Sequence, residues 1–182
     1  RIDATTPIML MKNSIDLPVW AMALLGATAV TLCPVTCPAE DWPQWRGPQR
    51  DGVSKEKGLL AEWPKEGPAL LWSVADLGAG YSTPSVMGDR LYLMGNEGLE
   101  NEFVEARSAK NGQRLWSTRV GKVGNPKQEP NYPGARSTPT VQGKVLYALG
   151  SDGDLVCVES TTGKERWRRN LRTDFGGKPG EW

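Results

Sequence analysis

Residues 82–95 read STPSVMGDRLYLMG, and residues 137–150 read STPTVQGKVLYALG. The two stretches share a Ser-Thr-Pro start, a turn that contains Gly, and an apolar run behind that turn. Each copy then continues to a second turn and a Trp, in NGQRLW ending at Trp116 and in TGKERW ending at Trp167. A pattern that returns after about fifty residues predicts a repeat architecture, in which one supersecondary unit stacks on its copy.

Each repeat contains short apolar runs bounded by turn formers, which is typical of β-strands joined by hairpins. The turns at Asn111-Gly112 and Thr162-Gly163 suit hairpins that need a positive φ. We predict strands at 82–87, 90–95, 103–108 and 113–119, and then at 137–142, 144–150, 155–159 and 164–170. One four-stranded antiparallel sheet buries little apolar area, whereas two stacked radially bury a face of each. The sequence therefore predicts an all-β fold of the β-propeller type.

A large flat ring near the end of the last strand of a repeat is suited to fill the gap between neighbouring blades. Trp116 and Trp167 hold this position, so we expect both rings to be buried. Trp72, in ALLWSV, lies where the last strand of an earlier copy would end. The chain is thus expected to hold a lone strand at 69–75, one blade at 82–119 and a second blade at 137–170.

Residues 106–116 read AxxxxNGxxxW, and residues 157–167 read CxExxTGxxxW. Both resemble the tryptophan-docking motif of pyrroloquinoline-quinone (PQQ) type propeller repeats, Ala-x-Asp-x-x-Thr-Gly-x-x-x-Trp. Gly112 and Gly163 match the Gly of this motif. The positions that depart from it are Ser108, Asn111, Cys157 and Glu159.

The segment DWPQWRGPQRDG, residues 41–52, resembles the opening of secreted bacterial PQQ-like repeat proteins. The resemblance covers roughly residues 41–182. It implies a propeller of about eight four-stranded blades, of which this chain would be an N-terminal fragment with two blades and a lone strand.

An apolar and uncharged run at 17–30 follows Lys12 and precedes the small or turn-forming residues Cys37-Pro38-Ala39. This is the layout of a secretory signal peptide. A retained membrane anchor is the alternative, although the run is short for a span of about 20 residues. We therefore expect upstream residues and a signal peptide at 1–39, an N-terminal arm at 40–68 and the partial propeller at 69–182. The protein is then exported to the periplasm or the exterior of a bacterium.

The chain carries 22 Lys and Arg against 21 Asp and Glu, and it has no His. The near balance argues against a nucleic-acid-binding surface, and the missing imidazole removes the commonest base and metal ligand. Cys157 is the one cysteine after residue 39. Because it lies in an apolar strand, we expect a buried and inert thiol.

Three irregular segments, at 96–102, 120–136 and 173–182, are predicted to lie on one face, and loops on a rigid scaffold are where propellers bind ligands. Arg136 and Tyr81 each directly precede the Ser of a repeat. Our hypothesis is that an anionic or carbohydrate-like ligand contacts Arg136, Tyr81, Tyr132 and Asn131. In the alternative, Arg136 pairs with backbone carbonyls or an acid, and the loop merely covers a blade. Trp42, Trp45 and Arg46 are predicted to pack the arm against the side of the propeller; in the alternative, they bind a partner.

The resemblance also includes quinoprotein dehydrogenases, which need a Ca²⁺ held by carboxylate and amide oxygens, a catalytic Asp and stacking around the quinone. The sequence shows no adjacent Cys pair and no such carboxylate set, since Asp152 and Asp154 read as residues of a hairpin turn. We therefore expect a non-catalytic scaffold with neither cofactor nor metal, similar to the propeller lipoprotein of outer-membrane β-barrel assembly. Its partner would be a protein or small ligand at the loop face; membrane association stays open. The alternative is a PQQ-dependent dehydrogenase of alcohols or sugars, with PQQ and Ca²⁺.

Overall fold

The computed structural model describes residues 40–125 and 133–178. Within these ranges the chain forms strands and no helix. These residues therefore contain no helix that could cross a membrane. The strands are β1 (Ser85–Met87), β2 (Arg90–Glu97), β3 (Asn101–Ser108), β4 (Arg114–Gly121), β5 (Thr140–Gln142), β6 (Val145–Leu149), β7 (Asp154–Glu159) and β8 (Glu165–Asn170).

The strands form two four-stranded antiparallel sheets, ordered β1-β2-β3-β4 and β5-β6-β7-β8. We call them blade 1 and blade 2. The predicted all-β fold of four-stranded antiparallel blades is therefore confirmed. The predicted signal peptide lies outside the described residues.

Both inner strands begin later than predicted, β1 at Ser85 and β5 at Thr140. Pro84 and Pro139 directly precede them, and proline has no backbone N–H to give to a ladder. Regular pairing therefore starts only past the proline of each Ser-Thr-Pro start.

The two blades have the same internal geometry. The rings of Tyr92 and Trp116 lie 6.1 Å apart with 47° between their planes, and the rings of Tyr147 and Trp167 repeat both values. A small residue pairs with the Trp in each blade, Ala106 in blade 1 and Cys157 in blade 2. The thiol of Cys157 is buried, and this burial raises its pKa. The repeat in the sequence is thus a repeat in shape.

The hydrophobic core lies between the blades, which pack face to face. At one close contact, a Cβ added to Gly150 of blade 2 would lie 3.0 Å from Val120 Cγ1 of blade 1. The core residues are Tyr92, Met94, Val104, Ala106, Val120, Ala135, Val141, Leu146, Ala148, Val156 and Val158. Since both blades contribute, neither closes a core by itself.

Each docked Trp covers the Gly turn of the following blade. A Cβ on Gly163 would lie 2.5 Å from the ring of Trp116, whose Nε1 donates to Ser160 O at 3.1 Å. Trp72 covers the Gly turn of blade 1 in the same way: a Cβ on Gly112 would lie 2.7 Å from the Trp72 ring. Its Nε1 donates to the carbonyl of Ala109 at 3.0 Å.

The surroundings of Trp72 and Trp167 differ from the sequence expectation. The predicted strand at 69–75 is absent, since no described strand pairs with these residues. Instead, the segment is attached to blade 1 by the ring of Trp72. The neighbouring Asp76 adds an ion pair with Arg107 at 3.1 Å. Trp167 was expected to be buried and is 40% exposed. The ring covers no Gly turn in the described residues: a turn follows at Gly176, but a Cβ added there would meet nothing within 4 Å.

The N-terminal arm also differs from the expectation that it packs against the side of the propeller. Trp42 forms an antiparallel bridge with Val86, on the free edge of β1. Trp45 is 60% exposed, and Arg46 turns back to bond Asp51 O at 3.0 Å. The arm therefore attaches to the inner strands through Trp42 and leaves Trp45 in solvent.

Candidate functional site

Two of the predicted ligand-binding residues meet where the inner strands begin. The guanidinium carbon of Arg136 lies 5.1 Å from the centroid of the Tyr81 ring, within the range of a cation–π contact. Tyr81 N donates to Ala135 O at 2.7 Å, and the Tyr81 side chain is more than half exposed. Asn131 and Tyr132 lie outside the described residues, so their part in ligand binding stays a prediction.

Glycines allow the two chain segments under this pair to approach. Gly80 has a φ of 141°, and a Cβ there would lie 3.0 Å from Ala135 O. Gly134 has a φ of 154°, and a Cβ there would lie 2.9 Å from Asn96 Oδ1. Larger residues at either position would push the segments apart and separate Tyr81 from Arg136.

Asn96 organises the site and was missed by sequence reasoning. It is 5% exposed; its Oδ1 accepts from Ala135 N at 3.2 Å, and its Nδ2 donates to Gly98 O at 2.8 Å. Its backbone also bridges that of Ala79. The one signal in the sequence is an amide residue directly after the apolar run LYLMG, where a strand would be expected to end.

The loops around Asn96 bring together the first two of the three predicted irregular segments, at 96–102 and 120–136, and add the turn at 151–153 of blade 2. Val123 N donates to Leu99 O at 2.8 Å, and Gly124 N donates to Ser151 Oγ at 2.8 Å. We call this end of the blades, with residues 98–100, 122–125 and 151–153, the loop face. The predicted loops at 96–102 and 120–136 are shorter than expected, because β2, β3 and β4 extend into them.

A buried acid joins the blades just below the loop face. Glu102 is 0% exposed, and its Oε2 accepts from Ser151 N at 2.9 Å and from Ser151 Oγ at 2.8 Å. Its Oε1 has no hydrogen-bond partner among residues 40–125 and 133–178. Burial raises the pKa of the Glu102 carboxyl, with smaller contributions from Asp154 and Asp152. No local pattern predicts this contact, since it joins residues 49 positions apart in the chain.

Further out on the loop face, a cleft of about 570 Å³ lies between β4 and blade 2. Two ion pairs lie in its lining, Lys122 with Asp152 at 3.6 Å and Arg168 with Glu165 at 2.8 Å, and Arg172 beside the cleft also pairs with Asp152. Asp152 lies in the predicted turn, whereas Asp154 begins β7. Of these pairs, Lys122–Asp152 joins blade 1 to blade 2. Arg168 adds hydrogen bonds from blade 2 to the carbonyls of Arg119, at 2.9 Å, and of Val120 in β4. Over residues 40–125 and 133–178, no group of three or more acidic or Cys side chains is placed to hold a metal ion.

A family described as outer membrane protein assembly factor BamB matches residues 51–181. The chain belongs to this family of PQQ-like repeat propellers. One BamB relative, from Salmonella typhimurium, is 30% identical over 74 residues, which cover 41% of this chain and 19% of that protein. The BamB of Moranella endobia is 26% identical over 125 residues, or 65% of this chain and 31% of that protein. The matched part of the chain thus spans less than a third of either relative.

Among solved structures, the chain resembles the quinohemoprotein alcohol dehydrogenase from Comamonas testosteroni. The TM-score is 0.53 at 20% identity, and the match covers 78% of this chain and 20% of that one. A similarity at this level of identity shows a common β-propeller fold and nothing about activity.

Proposed function

We propose that this BamB-like chain is part of an exported, non-catalytic propeller that binds protein partners during the assembly of outer-membrane proteins. The observation that carries the proposal is the family match over residues 51–181. Both curated relatives are named as assembly factors of outer-membrane proteins. The apolar run at 17–30 supports export to the periplasm.

The loop face supports a binding role. Buried hydrogen bonds of Asn96 and Glu102 hold its loops in place, so a partner would meet a surface that is already formed. Tyr81 and Arg136 present an aromatic ring and a guanidinium at its inner end, and these residue types are enriched at the energetically important positions of protein interfaces. We infer that a protein partner contacts this pair, and that the Asn131 and Tyr132 loop enlarges the contact.

The alternative is a PQQ-dependent dehydrogenase, and its support is the likeness in fold to an alcohol dehydrogenase. PQQ chemistry in this fold needs a Ca²⁺ held by carboxylate and amide oxygens. The likeness to an alcohol dehydrogenase shows only the fold. PQQ and Ca²⁺ belong to this alternative, which the dye-reduction assay described below tests.

The test uses cells of the source bacterium that lack the full-length protein. The amount of folded β-barrel protein in the outer membrane is measured by heat-modifiable migration, with and without a plasmid copy. We expect the wild type to restore it and the Tyr81→Ala, Arg136→Ala double variant to restore it only in part. Lys110→Ala is the matched control, because Lys110 is exposed in the β3–β4 turn, at the opposite end of blade 1.

Two results would overturn the proposal. One is an unchanged amount of folded barrel protein in cells without the protein. The other is sustained reduction of a dye by the purified full-length protein when PQQ, Ca²⁺ and an alcohol are supplied, since this would make it an enzyme.

A further inference from the structure

The N-terminal arm is hydrogen-bonded to both inner strands at once. On one side, Trp42 N donates to Val86 O and Val86 N donates to Trp42 O, each at 2.8 Å. On the other side, Val141 N donates to Pro43 O, also at 2.8 Å. Neighbouring residues of the arm therefore bond different blades.

The two valines hold equivalent places in the repeat. Val86 pairs with Leu91 across the β1–β2 hairpin, and Val141 pairs with Leu146 across the β5–β6 hairpin. Hydrogen-bonded and non-hydrogen-bonded pairs alternate along an antiparallel ladder. The middle residue of each three-residue inner strand thus turns its N–H outward, away from its own sheet. Carbonyls of the arm accept a hydrogen bond from each of these two N–H groups.

The arm can do this because it is extended between the two edges. Successive carbonyls of an extended chain point to opposite sides, so the carbonyl of Trp42 faces β1 and that of Pro43 faces β5. Proline at the second position has no N–H to donate to β5, so Trp42 makes two hydrogen bonds to β1 whereas Pro43 makes one to β5, through its carbonyl. An extended peptide of this pattern fits the gap without disturbing either sheet.

The rest of the motif DWPQWRG holds the arm in this position. Asp41 Oδ1 accepts from Gly88 N, in the β1–β2 turn, at 2.6 Å. The chain then folds back so that Gly47, with a φ of 79°, lies under the ring of Trp42, where a Cβ would be 2.7 Å from the ring. Gln44 Nε2 closes the bend by donating to Pro48 O at 3.2 Å.

We propose that the inner edges of β1 and β5 form a docking site for an extended peptide, and that this chain's own residues 41–43 fill it and lock blade 1 to blade 2. The site lies at the β1–β2 turn end of the blades. Tyr81 and Arg136 lie at the opposite end of the inner strands, so the docked arm leaves the loop face accessible. The role proposed for the loop face does not depend on this docking.

Amide hydrogen exchange followed by NMR on the whole chain tests the proposal. Trp42→Ala removes the ring that lies on Gly47 and so loosens the arm. We expect the backbone amides of Val86 and Val141 to exchange together in this variant, each at least about 10-fold faster than in the wild type. Val104 and Val156, in the middle strands of the blades, should keep their wild-type protection. Trp45→Ala is the matched control and should change none of the four, because Trp45 lies in the same arm but is 60% exposed.

The wild-type protein gives a second measurement that no folding defect can obscure. If one docked segment protects both valines, its release exposes both, so their protection factors should agree within about twofold. Protection factors that differ by more than tenfold in the wild type would overturn the proposal. So would a Trp42→Ala variant that keeps its fold while Val141 stays protected.

Discussion

At the scale of single residues, the contact between the blades depends on a position, Gly163, where any side chain would collide with the ring of Trp116. Gly163 has a φ of 72° and lies directly under the ring of Trp116. Gly143 has a similar φ of 58°, but a Cβ there would meet nothing within 4 Å. The two positions share the backbone conformation that L side chains avoid, and only one of them also faces a ring.

This difference predicts the cost of two substitutions. Gly163→Ala and Gly143→Ala both strain the backbone, but the new methyl group at 163 also pushes Trp116 off the turn. We expect Gly163→Ala to lower the free energy of unfolding by about 2 kcal/mol more than Gly143→Ala. Urea unfolding of both variants measures this difference in the free energy of unfolding. Equal losses would show that the ring does not rest on Gly163.

A second prediction at this scale concerns Glu102 and pH. Burial raises the pKa of Glu102 in the folded chain above its ordinary value of 4.5, so the folded state holds the proton more tightly than the unfolded state. The resulting contribution to stability is present at low pH and is lost as the pH rises through the folded-state pKa. Glu102→Gln removes this loss and keeps an oxygen that can accept from Ser151.

We therefore expect the stability of Glu102→Gln relative to the wild type to rise as the pH is increased from 4.5. Urea unfolding at a series of pH values measures this difference. Glu100→Gln, at an exposed position of the β2–β3 turn, serves as the control and should follow the wild-type curve. A constant offset between Glu102→Gln and the wild type across the series would contradict the prediction.

At the scale of the elements, the local pattern of the sequence predicted all eight strands, because apolar runs and Gly turns determine hairpins without help from distant residues. It did not predict the hydrogen bonds of Asn96, the contact of Glu102 with Ser151 or the docking of Trp42 between the inner strands. These contacts join residues far apart in the chain, and no periodicity records them. The repeat gives Tyr81 and Arg136 equivalent positions and the structure brings their side chains together, whereas their contact with a ligand stays a prediction.

The shared core predicts that the two blades unfold as one unit. Val120 is fully buried in β4 and lies in the core formed by both blades. We expect Val120→Ala to lower the free energy of unfolding by about 2 kcal/mol and to shift the whole transition. Circular dichroism and tryptophan fluorescence should give the same midpoint. Val53→Ala is the control, since Val53 is 58% exposed in the arm; two separate transitions in Val120→Ala would refute a shared core.

At the scale of the whole molecule, the three tryptophans form a directional series. Trp72 covers the turn of blade 1, and Trp116 covers the turn of blade 2. Trp167 presents the same ring in the same place, 40% exposed. Because the blades repeat in shape, the surface around Trp167 is suited to receive the Gly turn of a further blade.

The contribution of Trp167 to the free energy of unfolding should therefore depend on the length of the chain. In residues 1–182, Trp167→Ala should lower the free energy of unfolding by less than about 1 kcal/mol, since the ring already contacts solvent. In a longer chain that continues into another blade, the same substitution should cost about 3–5 kcal/mol, as for other large-to-small changes in a core. Trp116→Ala is the internal reference, because its ring is docked in both chains. Guanidinium unfolding of the four variants measures the effect, and an equal cost of Trp167→Ala in the two lengths would mean that this ring docks on no further blade.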